Sequence, residues 1–142
     1  KWLRDQSFHL TAKHGFPKAA QLVMQQWIQE DWSTLGCTAI VAQNDESAIG
    51  IIEALHDAGL RVPQDVSVIG FDGTELASNY RPRLTTMAVP LFEIGARGAQ
   101  LLLEQVEETG RSIRNFNAAS HETISMLPQV QMGDTAAPPQ SI

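Results

Sequence analysis

One stretch of the chain follows a strand–helix–strand pattern, and this restricts the fold more than any other feature. Thr38 to Gln43 is an apolar run of strand length, and from Asp45 onward apolar residues recur at helical spacing up to Gly59. Val66 to Phe71 is a second apolar run. Two such strands joined by a helix are typical of a parallel sheet, and near-continuous apolar strands predict helices on both faces. We therefore predict an α/β fold with a Rossmann-like parallel sheet flanked by helices.

Further elements are predicted on both sides of this unit. Pro17 suits the first turn of a helix, because its missing N–H would be unpaired there in any case. Pro128 favours an edge position for the first half of the last strand. In chain order, the remaining predicted elements are a helix from Pro17 to Ile28, a strand from Leu84 to Val89, a helix from Pro90 to Gly110, a strand from Ile124 to Met132 and a frayed tail from Thr135 to Ile142.

Charge and cysteine content narrow the function classes. The formal net charge is −6, whereas duplex binding depends on Lys and Arg contacts with phosphates, so no nucleic-acid surface is expected on this stretch itself. We interpret the short basic cluster Arg81-Pro82-Arg83 as a solvated loop. Cys37 is the only cysteine, which excludes an intramolecular disulfide and is compatible with a cytoplasmic protein. No apolar run reaches the length of a membrane span, and the opening Lys-Trp-Leu-Arg without Met indicates a fragment of a longer protein.

No sequence motif indicates catalysis or a cofactor. The four histidines form no HExxH motif and no helical pair with a carboxylate, so no metal site is predicted. The chain contains neither a G-x-S-x-G nucleophile elbow nor a phosphate-binding loop. The sequence therefore does not predict an enzyme.

Polar residues follow two of the predicted strands. Asn44 and Asp45 follow the first strand and Asp72 follows the second, at the edge where open parallel sheets bind ligands. The Asp72 carboxylate can accept hydrogen bonds from vicinal sugar hydroxyls, and the Asn44 amide can both donate and accept. The alternatives are structural: Asp72 capping the turn to Thr74, and Asn44 or Asp45 capping the next helix. We interpret Asp45 as the helix cap and place Asn44 in the ligand cleft.

A specific pattern of residues runs from Gly59 to Thr86. Gly-Leu-Arg-Val-Pro-x-Asp-Val-Ser is followed by Gly-Phe-Asp and then by Leu-Thr-Thr. This pattern resembles the C-terminal part of the effector-sensing core of LacI-type bacterial transcription regulators, and the match extends from about Gly15 to Thr135. The resemblance implies a periplasmic-binding-protein-like fold of type I, with two lobes around a small sugar-like effector. It also implies a homodimer that meets operator DNA only through an N-terminal domain outside this chain.

The resemblance also implies roles for individual residues in the effector site and the hinge. Asn44 and Asp72 match effector-contacting positions. Phe8 and Leu10 lie where family members often place an aromatic ring against the ligand, with core packing as the alternative. Thr86 and Val89 fall at the hinge between the lobes, where Val89 replaces a glutamine that sugar- and purine-responsive members carry.

The same resemblance predicts a dimer interface. Ile49, Glu53 and Tyr80 fall at positions that line it, with core packing as the alternative for Ile49.

The lobe organisation is predicted in four segments. Residues 1–89 form the C-terminal lobe, which dominates the fragment, and residues 90–110 form a helix that packs in the N-terminal lobe. An insertion loop and the final strand occupy residues 111–134, and residues 135–142 form a flexible tail. Without most of the N-terminal lobe, the helix from Pro90 is expected to expose apolar side chains. Two rival functions remain open: a periplasmic sugar-binding protein of a transporter or chemoreceptor, and an α/β enzyme with a flavodoxin-like core.

Overall fold

The fold, in a computed structural model, is a small mixed sheet with helices packed against it. The structure describes residues 15–30, 32–109 and 123–138, so the predicted ligand contacts Phe8 and Leu10 lie outside the described residues. The helices are α1 (Phe16–Glu30), α2 (Trp32–Leu35), α3 (Asp45–Asp57), α4 (Glu75–Asn79) and α5 (Leu91–Thr109). The strands are β1 (Ala39–Val41), β2 (Ser67–Asp72), β3 (Thr85–Ala88) and β4 (Gln129–Gln131). The predicted α/β class is confirmed.

The sheet order is β1-β2-β3-β4, and its first three strands run parallel. Val41 pairs with Ile69, and Ile69 pairs with Thr85. The carboxyl ends of these three strands therefore share one edge of the sheet. The fourth strand is antiparallel to β3, so the sheet is mixed rather than purely parallel.

The core lies between the sheet and two helices. Helix α3 packs on β2, and α1 packs on α3. A Cβ atom at Gly50 would meet the carbonyl group of Pro17, so glycine allows α1 to approach α3 closely. Burying a side chain such as Ile52, Leu55 or Val68 contributes about 1.5–3 kcal/mol to folding. The largest members of this core are Met24, Ile52, Leu55, Val62, Val66, Val68 and Leu84.

The opposite face of the sheet is largely open within the described residues. Phe71 pairs with Met87, and Met87 pairs with Val130, so these three side chains share a face. Val130 is 59% exposed, and Val41 on β1 is 70% exposed. The prediction of a buried first strand is therefore wrong, because Ala39 and Val41 of β1 are exposed.

The predicted tail begins in the core. Thr135 is fully buried, and its carbonyl oxygen accepts a hydrogen bond from the Val68 amide at 2.8 Å. Farther on, the Ala137 amide donates to the Ser67 hydroxyl at 3.1 Å. The prediction of a frayed tail from Thr135 is wrong for residues 135–137, because Thr135 and Ala137 form hydrogen bonds with the first two residues of β2, Val68 and Ser67.

The chain divides into two compact units, of which the first comprises residues 1–88 and 129–142. The second, residues 89–128, contains α5. The apolar residues of α5 are exposed, from 39% at Leu101 to 83% at Phe92, which confirms the prediction of exposed apolar area on this helix. Among the described residues, no helix is both long and apolar enough to cross a membrane.

Candidate functional site

Asp72 ends β2 in a backbone conformation that residues other than glycine seldom adopt. Its φ is +106°, and among the described residues it alone, apart from glycines, has a positive φ. Such strain costs roughly 1–3 kcal/mol and is concentrated at functional sites. The half-buried carboxylate makes no hydrogen bond with another described residue. The capping alternative does not hold, because the Thr74 amide donates to Asp45 instead, at 2.7 Å.

The turn after Asp72 presses against the last residue of β3. Gly73 has a φ of +74°, and a Cβ atom there would lie 2.6 Å from both Cα and Cβ of Ala88. Both the backbone conformation and the lack of space therefore require glycine. The turn is consequently held in a fixed position beside the point where the chain leaves β3.

Asn44 is the residue that caps α3. Its Oδ1 accepts a hydrogen bond from the Ser47 amide at 2.8 Å, and its backbone is extended, with φ −155°. The interpretation of Asp45 as the cap is therefore wrong. The cap uses only the Oδ1 atom of Asn44. Its Nδ2 group has no hydrogen-bond partner among the described residues. The cap thus orients a donor at the carboxyl edge of the sheet.

Asp45 has a role that the sequence did not reveal. Its side chain is 1% exposed, and Oδ2 accepts from the Thr74 amide at 2.7 Å and from the Thr74 hydroxyl at 2.9 Å. Oδ1 accepts from the Thr86 hydroxyl at 2.5 Å. A buried carboxylate needs such donors, and the amino end of α3 adds a favourable dipole. The residue in the sequence that reflects this burial is Gly70, since a Cβ atom there would collide with Oδ1 of Asp45.

The predicted hinge residues differ in their surroundings. Thr86 is fully buried in β3, where it pairs with Gly70 of β2. Val89 is half-buried and follows the last residue of β3, at the boundary between the two units. Thr86 therefore belongs to the packed sheet, and Val89 lies where the chain passes from one unit to the other.

The three predicted dimer residues are not equally accessible. Ile49 is 7% exposed within a single chain, which favours the core-packing alternative over an interface role. Glu53 is exposed and Tyr80 is half-buried. Burial, together with the negative charge of Glu53, raises the pKa of the Tyr80 phenol. Glu53 and Tyr80 therefore remain as surface candidates.

A cavity elsewhere in the chain contains none of the predicted site residues. The second unit has an open cavity of about 400 Å³, lined by Ile94, Arg97, Gly98, Leu101, Ile124 and Met126. Within the described ranges, no group of three or more His, Cys, Asp or Glu residues is arranged to hold a metal ion. The candidate site is thus the sheet edge bearing Asn44 and Asp72, with Asp45 beneath it.

Most of the chain is similar to proteins of known family. A profile described as a periplasmic binding protein-like domain matches residues 5–136. The chain belongs to this family. The HTH-type transcriptional repressor PurR of Vibrio vulnificus is 36% identical over 98 residues, which are 69% of this chain and 27% of that repressor. The chain thus spans about a quarter of the length of this relative.

Solved structures of LacI family regulators share the fold of this periplasmic-binding-protein-like chain. The regulator from Arthrobacter sp. FB24 in complex with lactose superimposes with a TM-score of 0.66 at 29% identity, covering 85% of this chain and 42% of that one. The regulator from Enterococcus faecium with bound ribose gives a TM-score of 0.70 at 26% identity, covering 87% and 41%. The resemblance to LacI-type regulators is thereby confirmed.

Proposed function

We propose that this chain is the effector-sensing part of a LacI-type transcriptional regulator. It binds a small sugar-like metabolite in the cleft between two lobes and controls DNA binding by a domain outside this chain. The observation that carries the proposal is the Asp72 carboxylate, which is held in a strained conformation at the sheet edge without a partner among the described residues. As a regulator of operator DNA, the protein would act in the cytoplasm.

The chemistry of the edge suits a polyol. A carboxylate accepts hydrogen bonds through both oxygens, so Asp72 can take two vicinal hydroxyl groups of one sugar. Asn44 adds a donor for a third hydroxyl or a ring oxygen, because its own Oδ1 is occupied by the Ser47 amide. The lactose and ribose bound to the two structural relatives support a sugar as the effector class.

The second lobe supplies the opposite wall of the cleft in this proposal. Helix α5 exposes Phe92, Ile94, Leu101 and Leu102, a surface that is unfavourable in water and suits an N-terminal lobe as its partner. Residues 90–110 then belong to that lobe, and β4 returns the chain to the sheet. Closure occurs about the crossing near Val89, where the chain leaves the packed strand that contains Thr86, and it changes the separation of the DNA-binding heads.

Dimerisation is the remaining part of the proposal. With Ile49 buried, Glu53 and Tyr80 carry the surface of a side-by-side homodimer. Reversing the charge with Glu53→Arg should weaken the dimer, whereas the change Glu30→Arg at the exposed end of α1 should not. Sedimentation equilibrium of the full-length protein measures both. A dimer equally stable in the two variants would remove Glu53 from the interface.

Operator binding measured by fluorescence anisotropy tests the proposed function. The full-length protein is titrated onto its operator with and without ribose and lactose, alongside the variants Asp72→Ala and Asp57→Ala. Asp57 is an exposed carboxylate at the other end of α3, so it is a matched control. Asp72→Ala should keep operator binding and lose the sugar response, while Asp57→Ala should keep both. A sugar response retained by Asp72→Ala would contradict the proposal, and sugar binding with no effect on DNA would favour the transporter or chemoreceptor alternative.

A further inference from the structure

Asp45 joins three separate elements at the base of the candidate site. It is the first residue of α3, its Oδ2 accepts two hydrogen bonds from Thr74, and its Oδ1 accepts one from Thr86 on β3. Thr74 is two residues beyond Asp72. The carboxylate therefore lies between the turn that presents Asp72 and the strand that leads towards Val89.

The surrounding sequence leaves room for this carboxylate. Gly70 lies beneath it, and a Cβ atom at Gly70 would collide with Oδ1 of Asp45 and lie 2.8 Å from Cδ2 of Leu84. Gly73 lets the turn meet Ala88. One glycine precedes Asp72 and one follows it. Gly70 permits the close approach to the Asp45 carboxylate, and Gly73 permits the close approach to β3.

We infer that Asp45 is a positioning residue for the ligand-binding aspartate, a role that rests on the proposed function of Asp72. The Asp45 carboxylate holds Thr74 and thereby fixes the turn in which Asp72 keeps its positive φ. Through Thr86, the same carboxylate ties that turn to β3, three residues before the chain leaves the first unit at Val89. A displacement of the turn by a ligand would therefore also displace β3, the strand that leads to the crossing between the lobes.

A stabilising role without positioning makes a different prediction. If Asp45 served only to stabilise the unit, weakening its hydrogen bonds would raise amide exchange throughout the first unit in proportion to the lost stability. If Asp45 positions the turn, losing the Thr86 hydroxyl should loosen the turn selectively. Ser47, whose amide is bound by Asn44 rather than Asp45, serves as an internal reference in the same helix end.

Hydrogen exchange followed by mass spectrometry on the full-length protein tests the inference without any ligand. The variant Thr86→Val removes one donor to Asp45 and keeps the side-chain shape. Its matched control is Thr85→Val, a neighbouring buried threonine whose hydroxyl accepts from the Gly133 amide instead. A third variant, Asp45→Ala, removes the carboxylate itself.

The inference predicts faster exchange at the turn spanning residues 72–76, about fivefold in Thr86→Val and more in Asp45→Ala, with the Ser47 peptide unchanged in Thr86→Val. Thr85→Val should leave the turn at the wild-type rate. Unchanged exchange at the turn in Thr86→Val, or an equal rise across the whole unit, would overturn the inference. Ribose titration of the same wild-type sample tests the proposed function separately, so a failure to bind sugar leaves the exchange result decisive for Asp45.

Discussion

The hydroxyl group of Thr135 donates a hydrogen bond to the carbonyl oxygen of Val68 at 2.7 Å. The Thr135 hydroxyl oxygen also accepts a hydrogen bond from the Thr85 amide at 2.9 Å, so one buried side chain bridges the beginnings of β2 and β3. A segment that the sequence assigns to a loose tail thus closes the amino-terminal edge of the sheet.

Replacing Thr135 by valine should lower the free energy of unfolding by about 1–3 kcal/mol, since it leaves the Val68 carbonyl and the Thr85 amide without that partner in a buried site. Thr135→Ser keeps the hydroxyl and should lose less. Urea unfolding of the two variants beside the wild type measures the difference. Equal stability of the valine variant and the wild type would show that the bridge contributes nothing.

Gly70→Ala should destabilise the protein by roughly 1–3 kcal/mol, because the added methyl group overlaps Asp45 and Leu84. Gly95→Ala is the matched control: a Cβ atom there meets no atom within 4 Å, and alanine favours the interior of a helix such as α5 by about 0.5–1 kcal/mol. Thermal unfolding should therefore move in opposite directions in the two variants. A shift of the same sign and size in both would contradict the assigned role of Gly70.

The carboxyl group of Asp65 should have an unusually low pKa. Hydrogen bonds from the side chain and backbone of Arg61 lower the pKa of Asp65 from 3.8 to about 2. Because the folded state favours the ionised form, this contribution is present above pH 3.8 and is lost as the pH falls towards 2. Carbon-detected NMR titration reads the value directly.

The control for Asp65 is Arg61→Gln, which removes the guanidinium group. It should return the pKa of Asp65 towards 3.8. A pKa near 3.8 in the wild type would mean that the Arg61–Asp65 pair does not persist in solution.

The sequence predicted the central strand–helix–strand unit because its signals are local. Apolar spacing, Gly59 as a helix stop and Pro17 as a helix start each act through neighbouring residues, and the observed α1, α3 and β2 differ from the predicted spans by a few residues at most. The edge bearing Asn44 and Asp72 follows from the same pattern, because parallel strands end together.

The features that the sequence missed depend on contacts between distant residues. Asp45 and Asn44 are both good capping residues, and only the donors supplied by Thr74 and Thr86 decide which of them is buried. The order of Thr135 depends on unpaired backbone groups about fifty or more residues earlier in the chain. The burial of Ile49 likewise follows from tertiary packing, which helical spacing alone does not distinguish from an interface.

The most direct test of the effector site is isothermal titration calorimetry of the full-length protein with ribose and lactose, comparing the wild type with Asp72→Asn. Asp57→Asn is the control. The account predicts that one of these sugars binds the wild type and the control equally, and binds Asp72→Asn roughly 10- to 100-fold more weakly, as expected for losing hydrogen bonds to a charged group. An unchanged affinity in Asp72→Asn would contradict the account, because the sugar would then bind without the carboxylate on which the site is built.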